Sequence, residues 1–383
     1  MRIITYFCKL FDLCMSKSTI WKQKRHSLRR SRKTMKLRIK KNRTDKKAHL
    51  KNKRTQINTI ILPRRRKNTY LSTKTKKRIK GIPAPKDFRL NDNPSECLKF
   101  FSRLRNQKSS VSIKGKRLID ITLKDVCLLD YATISVFKSI IEELRDHRIN
   151  VIGDFPQDAT CRKMMINSGF LSHMFDQNGN PFRVNTQSDL LQFEKGTGIL
   201  TENDSRKIST VMNDVASNLL GYKTKCSMLK SLLLEICGNT IEWSEASSQR
   251  WQLGIIYNDN NSVIITVTDI GKGILGTLFG RFQKVLKGLS KSDIEILYGA
   301  FEQKYGSSTK ENNRNQGLRL VKRFHEEGCL KRLKVLTNNV FLDFDNMNDS
   351  LDLSNNNKAF GGTFFQWELD RDCIKRINTT IWN

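Results

Sequence analysis

Hydrophobic residues between positions 109 and 195 follow the periods of strands and helices in turn. Short apolar runs at 117–122 and 149–153 are typical of buried strands. Apolar residues at helical spacing predict a helix between them, over 131–147, and a second helix over 159–167. A strand, a helix and a second strand in this order predict a parallel pair with a right-handed crossover. The pattern therefore predicts a small α/β unit at 109–195.

The pattern after residue 196 predicts a second, larger α/β unit over 196–383. Helical spacing indicates helices over 205–219 and 226–243, and the period then changes to two, which is typical of strands. The predicted strands form one hairpin from 251–257 and 262–268, a second hairpin within 333–344, and a single strand at 360–369.

The segment 275–313 interrupts this pattern. It is polar and punctuated by glycines such as Gly280, Gly288 and Gly306. Long segments of this kind inside a compact domain are usually lids or binding loops. We therefore expect a lid, followed by a helix that opens at Gly317.

Residues 1–80 have few large apolar side chains and an extreme charge. They hold 29 Lys and Arg against two acids, Asp12 and Asp45, so they carry +27 of the net charge of +33. Such a segment buries too little apolar surface to offset its chain entropy, and we predict a disordered basic tail. The tail can neutralise nucleic-acid phosphates; a solvated tail with only non-specific affinity is an equal alternative.

Residues 81–108 connect this tail to the first α/β unit. Gly and Pro at 81–85 predict a rigid linker. After it, the sequence predicts a short amphipathic helix over 95–106, with Ser95 as its N-cap.

Cysteine usage and hydropathy indicate the cellular compartment to expect for the protein. The nine cysteines include no CxxC pair, so neither a zinc cluster nor a disulfide framework is predicted and a reducing compartment fits. No apolar run approaches the roughly 18–20 residues that cross a bilayer. We expect a cytoplasmic protein without membrane contact.

Two polar residues in the helix over 226–243 are candidates for chemistry. Glu235 and Asn239 are four residues apart and share one face. A carboxylate beside an amide can hold a hydrated metal ion and orient a water. Taken alone, chance explains such a pair. The residues predicted to bury another face of this helix are Leu229, Leu232, Leu233, Ile236 and Thr240.

A DxGxG motif follows the first predicted hairpin, thirty residues beyond the ExxxN pair. It consists of Asp269, Gly271 and Gly273. Glycines at a strand end let the backbone approach a ligand closely, and the carboxylate can accept a hydrogen bond from an exocyclic amine. Further on, Gly317 and Leu318 lie at a predicted helix start, where free N–H groups suit phosphate.

A Gly-Gly-Thr turn that ends at Thr363 opens the strand over 360–369. The ordered set of ExxxN, DxGxG, a lid closed by Gly-Leu, and Gly-Gly-Thr resembles the GHKL ATPases over roughly residues 200–372. The resemblance implies a two-layer α/β sandwich, the Bergerat fold, for 196–383. It also implies ATP and Mg²⁺ as ligands.

The resemblance implies a role for each matching position. Asn239 would hold the Mg²⁺ that bridges the phosphates, and Glu235 would be catalytic by orienting or deprotonating the attacking water. Magnesium and backbone N–H groups supply the charge neutralisation that phosphoryl transfer mainly needs. The residues implied to bind nucleotide are Asp269, Gly271, Gly273, Gly317, Leu318 and Thr363.

The chain departs from the family around the Gly-Leu pair, where many relatives carry further glycines. Here Asn315 and Arg319 occupy those positions, which indicates a stiffer or differently closed lid. A degenerate GHKL fold that binds nucleotide poorly stays an alternative, as does a sandwich that binds none.

The smaller unit resembles the STAS-like domain of anti-anti-sigma factors. The matching segments are 128–133 before the first helix and Ser-Gly-Phe at 168–170. Partner-switching members carry a phosphoacceptor serine after the aspartate, whereas Tyr131 follows Asp130 here and Thr133 comes two places later. A scaffold or docking role is therefore the expectation.

Three functions follow from these expectations. The first is a Mg-dependent ATP-binding switch that acts on a protein partner, with or without slow hydrolysis. The second is a serine/threonine protein kinase of the anti-sigma type. The third is a nucleic-acid-binding protein in which residues 1–80 dock and ATP gates binding. Whether the chain is an ATPase, a kinase or no enzyme stays open.

Overall fold

The computed structural model describes the chain in ten segments. They are 81–106, 110–113, 116–176, 191–197, 200–243, 250–258, 260–287, 290–304, 316–354 and 359–380. All ten lie within the compact unit Asn68–Asn383. The tail predicted at 1–80 lies outside the described residues.

The described residues form nine α-helices and thirteen β-strands. The helices are α1 (Pro94–Arg105), α2 (Tyr131–Asp146), α3 (Ala159–Asn167), α4 (Glu202–Leu220), α5 (Ser227–Trp243), α6 (Gly273–Lys287), α7 (Asp293–Phe301), α8 (Gln316–Glu326) and α9 (Arg371–Thr379). The strands are β1 (Ile82–Pro83), β2 (Asp87–Phe88), β3 (Val111–Ile113), β4 (Lys116–Thr122), β5 (Leu128–Leu129), β6 (Ile149–Gly153), β7 (Leu191–Thr197), β8 (Arg250–Tyr257), β9 (Val263–Asp269), β10 (Lys331–Asn338), β11 (Val340–Asp343), β12 (Leu351–Asp352) and β13 (Phe360–Leu369).

A small sheet is built around β4. Strands β1 and β6 pair with β4 in parallel, and β3 pairs with it antiparallel. The parallel β4–β6 pair, connected through α2, confirms the predicted strand–helix–strand unit. The apolar side of α2 is buried as its spacing predicts, at Ile134, Phe137, Ile140, Ile141 and Leu144.

The predicted linker at 81–85 instead contributes a strand to this sheet. Ile82 and Pro83 pair with Ile121 and Thr122 of β4. Proline, which lacks an N–H donor, is tolerated in a short edge strand of this kind. The helix that follows begins at Pro94 with Asn93 as N-cap, so the prediction of Ser95 as N-cap was wrong.

A seven-stranded antiparallel sheet forms the centre of the larger unit. Its strand order is β12-β11-β10-β13-β9-β8-β7. Both predicted hairpins are confirmed, as β8–β9 and β10–β11. The boundary predicted near residue 196 falls inside β7, which pairs with β8 along its whole length.

Helices cover both faces of the large sheet. Alternate side chains of a strand point to opposite faces, and neighbouring residues of β13 illustrate this. Phe365 packs into a core with α4, α5, α8 and α9. Phe364 packs into a second core with α1 and α2. The hydroxyls of Ser135 on α2 and Thr266 on β9 lie 2.9 Å apart. Helices α1 and α2 therefore pack directly on the back of the large sheet.

The lid expected at 275–313 was wrong for much of its length, because α6 and α7 lie there. Leu275 of α6 is buried, and Ile274, Leu278 and Phe279 pack against the same core. A capping box between Ser292 and Glu295 starts α7. Glycines within α6 gave the sequence a loop-like appearance, although its apolar residues recur at helical spacing. Residues 305–315 lie outside the described residues.

Within the part of the chain that the structure describes, no helix is both long and apolar enough to cross a membrane.

Candidate functional site

Helix α5 carries the first predicted site residues. Its apolar spacing buries Leu229, Leu232, Leu233 and Ile236 against the sheet, as predicted. Glu235 lies on an exposed side of the helix. The side chains of Asn239 and Thr240 lie outside the described residues, so magnesium binding by Asn239 stays a prediction.

The central feature of the site is the carboxylate of Asp269 at the end of β9. The residue is only 5% exposed. It lies opposite Thr363 in the β9–β13 pairing, and the side chain and backbone of Thr363 favour its charged form and so lower its pKa. Asp269 and Thr363, which belong to two separate sequence motifs, are thus directly paired in the sheet.

Burial raises the pKa of Asp269 to about 7, and the neighbouring side chain and backbone of Thr363 only partly offset this effect. A carboxylate that loses water is disfavoured in its charged form unless other donors replace that water. Strongly shifted pKa values of this origin are common at functional sites. Asp269 is therefore a buried carboxyl whose charged form would be favoured by a further hydrogen-bond donor.

The two glycine motifs fold onto each other beside this carboxylate. The backbone N–H of Gly271 donates to the carbonyl of Gly361 at 3.3 Å. Gly362 adopts φ of +143°, and a Cβ there would lie 2.2 Å from the carbonyl oxygen of Asp269. Only glycine fits this close crossing of two strand ends. The DxGxG and Gly-Gly-Thr segments thus form one turn cluster.

The hairpin between β10 and β11 adds two residues that the sequence reasoning did not assign. The hydroxyl of Thr337 accepts from the N–H of Ile274 at 2.8 Å and donates to the carbonyl of Gly362 at 3.1 Å. The amide of Asn338 donates to the carbonyl of Lys272 at 2.8 Å. Both residues fall within the hairpin predicted at 333–344, and nothing in their local pattern indicated this long-range contact.

Gly273 opens α6 directly above this hairpin. It has φ of +74°, and a Cβ there would meet the side chains of Asn338 at 2.4 Å and Thr337 at 2.7 Å. The requirement for glycine at this position is therefore structural.

Cys237 shows that α5 passes close to Asp269. Burial, and then the negative charge of Asp269, raise the pKa of the Cys237 thiol well above its usual range. Cys237 is fully buried and is a small core residue of α5. The helix segment that carries Glu235 and Asn239 therefore runs beside the end of β9.

Gly317 and Leu318 lie in the first turn of α8, as the motif predicted for a helix start. Gly317 is buried and Leu318 packs against the core. Helix α8 packs against α5. The structure thus packs the helix that opens with the Gly-Leu pair against the helix that bears Glu235, and the turns of the DxGxG and Gly-Gly-Thr segments meet directly.

A group of three or more His, Cys, Asp or Glu side chains placed to hold a metal is absent from the described residues. A magnesium ion bound through one amide and nucleotide phosphates needs no such group. A buried carboxylate such as Asp269 can accept a hydrogen bond from an exocyclic amine.

The smaller α/β unit carries no accessible hydroxyl at Thr133. Thr133 is fully buried, and its hydroxyl donates to the carbonyl of Phe88 and accepts from the N–H of Leu90, both at 2.8 Å. Asp130 caps α2 by accepting from the N–H of Thr133 at 2.7 Å. Both residues hold the helix start in place, which agrees with a scaffold role.

In comparisons with known proteins, no protein-family model matches the chain, and no curated protein sequence matches it.

Proposed function

We propose that this chain is a GHKL-type protein that binds Mg-ATP with the adenine amine against Asp269. The observation that carries the proposal is the buried Asp269 carboxylate, held by Thr363 and flanked by the turn of Gly271 and Gly362. A buried carboxylate with a pKa of about 7 gains a strong hydrogen bond when a ligand amine donates to it. An adenine amine supplies such a donor.

The proposal assigns the remaining motif residues by their places in the fold. Asn239 would hold Mg²⁺, which supplies charge neutralisation at the phosphates. Glu235, on the exposed side of α5, would orient a water. Gly317 and Leu318 would approach the phosphates from the first turn of α8, where free N–H groups favour anions.

ATP binding would act in the cytoplasm as a switch on a protein partner. The packing of α1 and α2 on the back of the same sheet supports a regulatory use. In this proposal the small unit is a STAS-like module and the large unit a Bergerat fold. The antiparallel sheet covered by α4 and α5 supports that assignment.

The test is calorimetric titration of the full chain with Mg-ATP and Mg-GTP. Wild type should bind ATP and discriminate against GTP, because guanine presents a carbonyl where adenine presents its amine, and two acceptors would then face each other. Asp269→Ala should weaken ATP binding at least about tenfold, since hydrogen bonds to charged groups contribute about 1.5–3 kcal/mol.

The matched control is Asp372→Asn, which removes a carboxylate whose side chain is 70% exposed on α9. It should leave nucleotide affinity unchanged. Absence of ATP binding by wild type, or equal binding by wild type and Asp269→Ala, would contradict the proposed site.

A further inference from the structure

The carbonyl of Gly361 receives a second hydrogen bond, from the opposite side of the large sheet. Arg105, the last residue of α1, donates to it through its guanidinium at 3.0 Å. The same carbonyl accepts from Gly271 of the DxGxG segment. One backbone oxygen thus connects the guanidinium to the turn beside Asp269.

The guanidinium of Arg105 is itself fixed by α2. Its Nε and its second terminal nitrogen donate to the two carboxylate oxygens of Glu143 at 2.8 and 3.0 Å. Both side chains are partly buried, with 24% and 19% exposed. Bidentate pairs of this kind restrict geometry as well as adding energy. The position of the third nitrogen is therefore set by the packing of α1 against α2.

Glycine at 361 is required for this arrangement. A Cβ at that position would lie 2.8 Å from the Arg105 nitrogen that donates to the carbonyl. The absence of a side chain lets the guanidinium reach the backbone of β13. The Gly-Gly-Thr turn is therefore shaped on one side by Asp269, through Gly362, and on the other by Arg105, through Gly361.

We propose that Arg105 is a positioning residue that ties the nucleotide-binding turn to the α1–α2 packing. Held by Glu143, it orients the Gly361 carbonyl and through it the Gly271 segment that faces the base. A change in the packing of α1 on α2 then changes nucleotide affinity, and nucleotide binding changes that packing by the same factor. This inference rests on the proposed function and names the regulation of its site.

The test combines affinity with local hydrogen exchange in the full chain. Arg105→Gln should raise the Kd for Mg-ATP about tenfold, the lower end for a lost hydrogen bond to a charged group. It should also speed exchange of the Gly271 amide about tenfold while the core amides of β8 and β9 keep their rates. A purely structural residue would speed core exchange as a whole and leave the Kd of the folded molecules unchanged.

Two variants sharpen the comparison. Introduced into wild type, Glu143→Gln should raise the Kd for Mg-ATP by part of the amount that Arg105→Gln does. Introduced into Arg105→Gln, it should raise the Kd no further, because Glu143 acts through Arg105. Arg105→Lys keeps the charge but cannot bridge both acceptors, so it should give an intermediate Kd; it also serves if Arg105→Gln fails to fold. Arg103→Gln, an exposed change two residues earlier on α1, is the matched control and should change the Kd less than about twofold.

The outcomes separate this inference from the proposed function. Local exchange at Gly271 that responds to Arg105→Gln, in a chain that binds no nucleotide, would support the positioning role and refute ATP binding. An unchanged Kd in a wild type that does bind ATP, or unchanged exchange at Gly271, would overturn the role of Arg105.

Discussion

Replacing Asp269 by Asn should make the stability of the protein less dependent on pH. Burial raises the pKa of this carboxyl from its ordinary 3.8 to about 7 in the folded state. One pKa unit corresponds to about 1.4 kcal/mol, so the ionised carboxylate costs the unliganded folded state about 4 kcal/mol.

The sign follows from proton binding. Below pH 3.8 the carboxyl is protonated in both states and carries no penalty. Between that value and about 7 the folded state keeps a proton that the unfolded chain has released, so this group lowers stability as pH rises. Above that range the folded state bears the full free-energy cost of the buried charge. Asn is neutral at every pH, so Asp269→Asn removes this cost.

The assay is urea unfolding of unliganded wild type and Asp269→Asn across this pH range. The free energy of unfolding of the variant, relative to wild type, should increase with pH by up to about 4 kcal/mol and then level off. Asp372→Asn, the exposed control, should differ from wild type by under about 0.5 kcal/mol at every pH. A difference between wild type and Asp269→Asn that stays flat or shrinks with pH would refute the buried-carboxylate account.

Three further predictions test other parts of the site. Gly362→Ala should lower the free energy of unfolding by about 3 kcal/mol or more, because φ of +143° and the Asp269 carbonyl exclude a Cβ. Gly221 has φ of +82° and open space around it, so Gly221→Ala should lower that free energy by only about 1 kcal/mol. Similar costs for the two variants would argue against the close contact between Gly362 and the Asp269 carbonyl. Mass spectrometry after brief alkylation should find exposed Cys127 modified and buried Cys237 modified at least about 100-fold more slowly, whereas equal rates would show that α5 does not cover the thiol. Glu235→Gln should retain ATP affinity within about twofold and reduce any phosphate release at least about 100-fold; unchanged release would remove Glu235 from a catalytic role.

Much of the fold followed from local pattern. The strand–helix–strand order of β4, α2 and β6, the two hairpins and the apolar face of α5 were predicted from spacing alone, because these elements bury one face and the period of burial is written in the sequence. The prediction of a lid at 275–313 was wrong where α6 lies. Glycines within that helix resemble a loop signal unless the apolar residues are counted at helical spacing.

The site motifs were also visible in the sequence, as an acid and glycines at the end of one strand and glycines and a threonine at the start of another. The sequence could not show that these two motifs lie next to each other in the folded protein. The register that sets Thr363 opposite Asp269 depends on how β13 enters the sheet, and the pKa of Asp269 depends on the burial that follows.

Contacts between distant parts of the chain were decided by tertiary structure alone. Arg105 and Gly361 are 256 residues apart, and Ser135 meets Thr266 across 131 residues. The sequence determined which segments become helices and strands, since that depends on neighbouring residues. Only the packing of helices on the two faces of the large sheet determined which helix reaches the turn at Gly361, because that contact depends on the shape and burial of whole elements.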